Sequence, residues 1–198
     1  MTRSRAIYAA ASLAAVLLVS GCDDDPPVAP TPEPTSHSAS PDASPSASPT
    51  ATAVVVAPER PDAMDDDGAD GAEAAAVYFL ELDDYMMSTG DTTEWEAMSH
   101  KSCQHCANRL KRANEIADEG YTWTSGPTSA RVVHTYEQDA ATGTWPMDIE
   151  VTQGAVTLSA SDGSVIYQED QVTLELGVEI ASKNDSWVIV AVSALEDE

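Results

Sequence analysis

Proline distribution is the feature that most limits what this chain can fold into. Ten of its twelve prolines lie within residues 23–61, in a stretch otherwise made mainly of Ser, Thr and Ala. Such a sequence cannot bury enough apolar surface to offset the conformational entropy that folding would remove. We therefore expect residues 22–70 to form a disordered, acidic tether. Residues 71–198 are then left for a single globular domain of ordinary size.

Residues before the tether have the order of signals found in an exported protein. Two arginines precede an apolar run at residues 6–19, which is shorter than the ~20 residues of a membrane-spanning helix. The run ends in Val19-Ser20-Gly21-Cys22, which resembles the lipobox of bacterial lipoproteins. The resemblance implies a signal peptide at residues 1–21 and acyl chains on Cys22 that hold the protein at the outer face of the cytoplasmic membrane. The alternative is an ordinary secretory signal followed by a chance cysteine.

The charge of the chain excludes some partners. Its formal net charge of −25 at pH 7 disfavours nucleic acid, since binding phosphates requires clustered cations. The sequence contains no Gly-rich phosphate loop, metalloprotease helix motif or nucleophile elbow. We therefore predict no cofactor and no bound metal.

Three helices are expected in the first part of the domain. Asp70 and Glu73 have the spacing of an N-terminal cap, and Gly90 is suited to end the first helix. A second, short helix follows over residues 91–98, and a third starts from a cap at Ser99 or Ser102 and ends near Gly120. The apolar residues of the first helix repeat at helical spacing: Ala72, Ala75, Ala76, Phe79, Leu82 and Met86.

After Gly120 the apolar period changes to two, which indicates β-strands. The alternation shifts phase at Gly154, as a β-bulge would cause, and Asp162-Gly163 is a strong hairpin signal. Helices followed by an antiparallel meander predict an α+β domain with the helices on one face of a curved sheet. By analogy, the shape would be the cone of the SnoaL-like and nuclear-transport-factor-like folds, whose sheet and long helix enclose a pocket.

The chain also resembles a family, the lipoproteins of high-GC Gram-positive bacteria that carry domain of unknown function 6318. The resemblance includes the lipobox and the Pro-rich spacer, and it implies an extracytoplasmic lipoprotein without an assigned activity. Within the domain, the matching residues are Gly71-Ala72-Glu73-Ala74, Phe79, Thr89-Gly90-Asp91, Ser99, Cys103-x-x-Cys106, Gly120-Tyr121 and Trp187-Val188-Ile189-Val190.

Two cysteines remain after Cys22, and an even number in an exported chain favours a disulfide between Cys103 and Cys106. Both are in phase with the apolar face of the third helix, so buried structural sulfur is the favoured interpretation. The alternative is the exposed dithiol of a thioredoxin-like oxidoreductase. A zinc site that adds His100 and His105 is disfavoured, because no second Cys pair exists and His105 lies off that face.

The same helix carries a cationic stripe of Lys101, His105, Arg109 and Arg112, with Lys111 close by. One interpretation is a docking site for an anionic group of a cell-wall polymer or a membrane-protein partner. The other is a solvated helix face with weak ion pairs to nearby acidic residues.

Several aromatic residues and one histidine could share a pocket, and they leave the function open. A non-catalytic binding or scaffolding domain is the first hypothesis. The alternatives are a thiol-disulfide oxidoreductase that uses Cys103 and Cys106, and a small-ligand enzyme whose cone pocket contains His134. The candidate pocket residues are Tyr85, Trp95, Trp123, His134 and Tyr136.

Overall fold

The computed structural model describes residues 55–195, which fall within one compact unit, Thr50–Glu198. The predicted signal peptide, Cys22 and the tether up to residue 54 lie outside the described residues. The helices are a short 3-10 helix at Asp62–Asp65, α1 at Ala69–Thr89, α2 at Thr93–Met98 and α3 at Gln104–Asp118. The strands are β1 at Thr122–Ser125, β2 at Ser129–Thr135, β3 at Thr144–Gln153, β4 at Val156–Ser159, β5 at Val165–Glu169, β6 at Val172–Lys183 and β7 at Ser186–Ala194.

Helix α1 ends where its sequence predicts and begins slightly earlier. Gly90 adopts a left-handed conformation at φ 75°, and its N–H donates to the carbonyl of Met86 at 2.9 Å. The N-terminal cap is Gly68 rather than Asp70, which lies inside the first turn. Glu73 does not take part in the cap, and its carboxylate accepts a hydrogen bond from the Thr135 hydroxyl instead.

The fold also uses residues that the sequence assigned to the tether. Met64, in the 3-10 helix, is only 6% exposed, and its carbonyl accepts a hydrogen bond from Trp187 Nε1 at 3.0 Å. Contacts with the domain therefore begin before residue 71. A single apolar residue in an acidic segment has no periodicity that could reveal this.

Cys103 caps helix α3, in place of the predicted Ser99 or Ser102. Its Sγ accepts the backbone N–H of Cys106 at 3.1 Å. The two serine hydroxyls make other bonds: Ser99 Oγ donates to the Trp95 carbonyl at 2.6 Å, and Ser102 Oγ donates to the Val190 carbonyl at 3.2 Å.

The strands pair in two antiparallel sheets, β2-β3-β6-β7 and β1-β4-β5. The pairing register does not change between them: Gln153 faces Val172 before the break, and Val156 faces Glu169 after it. The two sheets are thus one meander that is sharply bent. The paired strands are interrupted at the same place. The buried side of the sheet therefore continues from Val151 in β3 to Val156 in β4 with the strand pairing unchanged.

A close backbone contact lies at the bend. Gly126 N–H donates to the Ala155 carbonyl at 2.9 Å, and a Cβ on Gly154 would lie 2.5 Å from the carbonyl carbon of Gly126. Because the strand pairing is unchanged across the bend, the bulge expected at Gly154 is wrong. Gly154 is required because only a residue without a side chain lets the two strands approach this closely.

The helices pack against the concave face of this bent meander and share one core with it. Phe79 of α1 stacks on Trp95 of α2 with ring centroids 4.0 Å apart, and both are buried. The predicted α+β class and its cone are confirmed. Among residues 55–195, no helix combines the length and apolarity needed to cross a membrane.

The bend generates a first prediction. Gly154→Ala should lower the free energy of unfolding by more than ~2 kcal/mol, because the new methyl group meets backbone that cannot move aside. The matched control is Gly177→Ala, whose methyl group would meet the flexible end of Leu195 at 3.2 Å and should cost much less. Urea denaturation of both variants measures the difference, and equal stabilities would contradict the role of the Gly126–Gly154 contact.

Candidate functional site

A cleft of about 240 Å³ opens between the helices and the concave face of the sheet. Its walls are mainly apolar, with side chains from α1, α2, β3 and β6: Leu80, Trp95, Val151, Leu174 and Leu176. A smaller set of polar groups completes it: Asp83, His105, Arg109, Thr128 and Gln153. We call this site the helix–sheet cleft. An apolar cavity with a few converging polar groups is the usual form of a small-ligand site.

An ion pair between α1 and α3 forms the polar side of the helix–sheet cleft. Arg109 Nε donates to Asp83 Oδ1 at 2.7 Å, and Arg109 Nη2 donates to Asp83 Oδ2. The guanidinium also lies 5.8 Å from the ring centroid of Trp123. The side chains of Arg109 and Asp83 are 26% and 16% exposed, so solvent screens this pair less than a surface pair. Each of the two charges is therefore neutralised by the other.

His105 of α3 also lines the helix–sheet cleft. Burial lowers the pKa of its imidazole below the usual 6.5, the Asp83 carboxylate opposes that change, and the Arg109 cation adds to it. The imidazole is therefore neutral at pH 7. It supplies one hydrogen-bond donor and one acceptor to the cleft.

Asp84, the next residue in α1, has both carboxylate oxygens buried without a hydrogen-bond partner. Burial raises the pKa of this carboxyl group above the usual 3.8, although the neighbouring hydroxyls of Thr128 and Ser125 oppose the rise. Neither hydroxyl reaches hydrogen-bonding geometry. Trp123 Nε1 is likewise buried without a partner. Asp84 is thus a destabilising charge beside the stabilising charge of Asp83.

The structure separates the four residues of the predicted cationic stripe. Lys101 lies in the turn before α3, while His105 and Arg109 point into the helix–sheet cleft. Arg112 pairs with Glu115 at 3.7 Å, as the solvated-face alternative expected. A continuous exposed stripe is therefore not formed, because Arg109 is drawn inward by Asp83.

The predicted aromatic pocket is also divided. Trp95 lines the helix–sheet cleft, whereas Tyr85 and Trp123 line an adjoining groove of about 690 Å³, which shares only Thr128 with the cleft. His134 and Tyr136 are exposed and pack edge to face with centroids 4.3 Å apart. The register of β2 shifts between Val132 and His134, and this irregularity changes which side chains face the core. His134 does not line the helix–sheet cleft, so the catalytic role suggested for it there is wrong.

Sequence reasoning missed the other cleft residues: Leu80, Asp83, Thr128, Val151, Gln153, Leu174 and Leu176. Leu174 and Leu176 show the apolar alternation of a strand, which does not indicate that they line a cleft. The Asp83–Asp84 pair within an apolar helix is the one signal that could have been followed. Arg109, the partner of Asp83, is 26 positions away in the chain, and the sequence alone does not reveal that the two residues meet in the fold.

The structure places Cys103 and Cys106 at disulfide distance, as predicted, with the two Cα atoms 5.3 Å apart. Both cysteines are 1% exposed, which fits a structural bridge, since catalytic thiols must be reachable. A helix and a turn precede the pair, where a thioredoxin-like motif would follow a strand. Within residues 55–195, no three His, Cys, Asp or Glu side chains are placed to hold a metal ion.

Replacing the adjacent carboxylates of Asp83 and Asp84 should change the free energy of unfolding in opposite directions. Because the folded-state pKa of Asp84 is raised, its bound proton stabilises the fold at low pH, and this stabilisation is lost as the pH rises above 3.8. Asp84→Asn should therefore raise the free energy of unfolding at pH 7, with a gain that shrinks towards pH 3.

Asp83→Asn is the matched control, since it removes the same charge from the chain. It should lower the free energy of unfolding by about 2 kcal/mol at pH 7, because Arg109 loses its charged partner. Urea denaturation at several pH values tests both variants. A loss of stability in Asp84→Asn would contradict the unpartnered state of that carboxylate.

Comparisons with known proteins support the fold and identify the family. A search of the curated proteins found no significant match. Among solved structures, the intermembrane space region of the chloroplast protein ARC6 is similar at a TM-score of 0.52 and 16% identity, over 66% of this chain and 98% of that one. This similarity shows a shared fold and nothing about activity.

Two weaker similarities fall below a TM-score of 0.5. A periplasmic fragment of TraM has a TM-score of 0.41 at 13% identity, covering 66% of this chain and 98% of that one. A nuclear transport factor 2-like superfamily protein from Salmonella enterica has 0.38 at 12% identity, covering 65% and 92%. The sequence itself matches one family over residues 45–193, most of the chain. The chain belongs to the family described as Family of unknown function (DUF6318).

Proposed function

We propose that this protein is a lipid-anchored, extracytoplasmic binding or scaffolding protein without catalytic activity. Its domain would bind a small apolar group in the helix–sheet cleft. The observation that carries this proposal is the cleft itself, whose walls are apolar and whose strongest charges, on Asp83 and Arg109, neutralise each other.

The size and lining of the helix–sheet cleft restrict its occupant. At about 240 Å³ it is smaller than most drug-sized sites, so it suits a small ligand or one large apolar side chain of a partner protein. Thr128 and Gln153 offer hydrogen bonds at one side, which would orient a polar end of that group. An occupant carrying a net charge would have to compete with the existing ion pair.

The polar groups of the helix–sheet cleft support binding better than catalysis. A general base needs a partner that orients it and holds the charge it gains. Asp83 is the carboxylate that lines the cleft with His105, and both of its oxygens already accept hydrogen bonds from Arg109. The alternative of a thiol-disulfide oxidoreductase is disfavoured by the burial of Cys103 and Cys106.

The lipid anchor rests on the sequence before the domain. The lipobox ending at Cys22, the Pro-rich segment behind it and the disulfide all fit an exported protein held at the membrane surface. A tether of this length would let the domain reach partners in the cell envelope at a raised effective concentration.

Blocking the helix–sheet cleft tests the binding site. Leu174, which is 44% exposed at the cleft, can be replaced by Trp to fill it with little strain on the core. Indole is a suitable probe. In the wild type it should cause saturable shifts in the amide resonances of His105, Thr128 and Gln153, with millimolar affinity.

Leu174→Trp should weaken indole binding about tenfold or more, a loss of ~1.4 kcal/mol. The control is Val165→Trp, which adds the same ring on exposed β5 and should leave binding unchanged. Indole binding that survives Leu174→Trp at full strength would overturn the proposed site.

Radiolabelled palmitate in an expressing bacterium tests the anchor separately. The wild type should incorporate the label and fractionate with the membrane, and Cys22→Ser should do neither, because the thioether has no sulfur on which to form. The matched control is Ser20→Ala, which changes the lipobox but keeps Cys22 and should remain labelled. Label in Cys22→Ser would contradict the lipoprotein assignment.

A further inference from the structure

Most of the cations in this acidic domain are already paired. Residues 55–195 contain seven Lys and Arg side chains, and five of them lie within 4.0 Å of a carboxylate: Arg60, Arg109, Lys111, Arg112 and Arg131. In that described part of the chain, the two left without such an ion pair are Lys101 and Lys183. Although they are far apart in sequence, they line the same cleft, of about 500 Å³.

We propose that this cleft, the lysine cleft, binds a small phosphate monoester between Lys101 and Lys183. It is distinct from the helix–sheet cleft, with which it shares no lining residue. His100, Asn184 and Ser186 also line it and add hydrogen-bond donors.

Backbone contacts hold the turn that carries Lys101 in place. His100 N–H donates to the carbonyl of Ile189 in β7 at 2.9 Å, and Ser102 Oγ donates to the carbonyl of Val190. The Cys103–Cys106 disulfide follows immediately and ties the turn to the start of α3. Lys101 is therefore presented from a fixed point beside β7.

Lys183 is positioned from the other side by the hairpin between β6 and β7. Asn184 and Asp185 both have positive φ, 53° and 57°, as a tight two-residue turn requires. Lys183 pairs directly with Ser186 across this turn. Two elements with a fixed backbone thus carry the two lysines that line one cleft, which lowers the entropy cost of binding.

The charges match a phosphate monoester better than a carboxylate or a polyanion. A monoester carries about −1.5 to −2 at pH 7, close to the charge of two ammonium groups, and Lys binds phosphate as a point charge. A polyanion would extend over the rest of a chain whose net charge is −25 and be repelled by it. The nearby acidic groups are Asp185 in the turn and Glu96, which lines an adjacent groove with Lys101.

The test titrates the ¹⁵N-labelled full-length protein, in neutral detergent, with inorganic phosphate and with glycerol 3-phosphate. Both ligands should cause saturable shifts centred on the amides of Lys101, Lys183 and Ser186. The double variant Lys101→Gln, Lys183→Gln should weaken binding about tenfold or more. Lys111→Gln is the control, because Lys111 is exposed but paired with Glu115 at 3.3 Å, and it should bind like the wild type.

Three results of this titration would overturn the proposal. They are the absence of saturable shifts with either phosphate, undiminished binding in a correctly folded double variant, and an equal response to acetate at the same ionic strength. Vesicles containing phosphatidylglycerol separate a lipid headgroup from a free monoester. Binding to these vesicles without binding to glycerol 3-phosphate would assign the lysine cleft to a membrane surface and reject the monoester.

Discussion

The contact between the backbones of Gly126 and Gly154 determines the shape of the domain. It allows two paired strands to turn a corner together, so the meander bends without losing its register. The bend gives the sheet a concave face, and α1 with its stacked Phe79 packs into that face. The helix–sheet cleft lies between this face and the helices.

The region around the disulfide connects both candidate sites. Cys103 caps α3, the carbonyl of Cys106 accepts a hydrogen bond from Trp95 Nε1 at 3.1 Å, and the turn before Cys103 is bonded to β7. The same few residues therefore fix Trp95 in the wall of the helix–sheet cleft and Lys101 in the lysine cleft. A structural disulfide can in this way set the geometry of binding without taking part in any chemistry.

Local sequence signals predict the features that depend on residues close together in the chain. The spacing of apolar residues located α1, and Gly90 marked its end, because helix periodicity and capping are local effects. The phase change at Gly154 predicts a bulge instead of the bend, since the pattern of one strand does not reveal that the paired strands break at the same place. His134 was placed inward because the irregularity in β2 that precedes it leaves no mark in the apolar pattern. Tertiary packing alone brings Arg109 to Asp83 and places Lys101 and Lys183 in the same cleft.

The bond between Trp187 and Met64 has a mechanical consequence. The chain enters the domain through the 3-10 helix at Asp62–Asp65, and this helix is hydrogen-bonded to the start of β7, the last strand of the meander, through Trp187 Nε1. A pulling force applied through residues before 62 would reach β7 as well as α1, and would be shared by the sheet's hydrogen bonds. Pulling the 3-10 helix away from the domain would therefore require the Trp187–Met64 hydrogen bond to break. Such an attachment suits a domain that must stay folded while the segment leading to it is under tension.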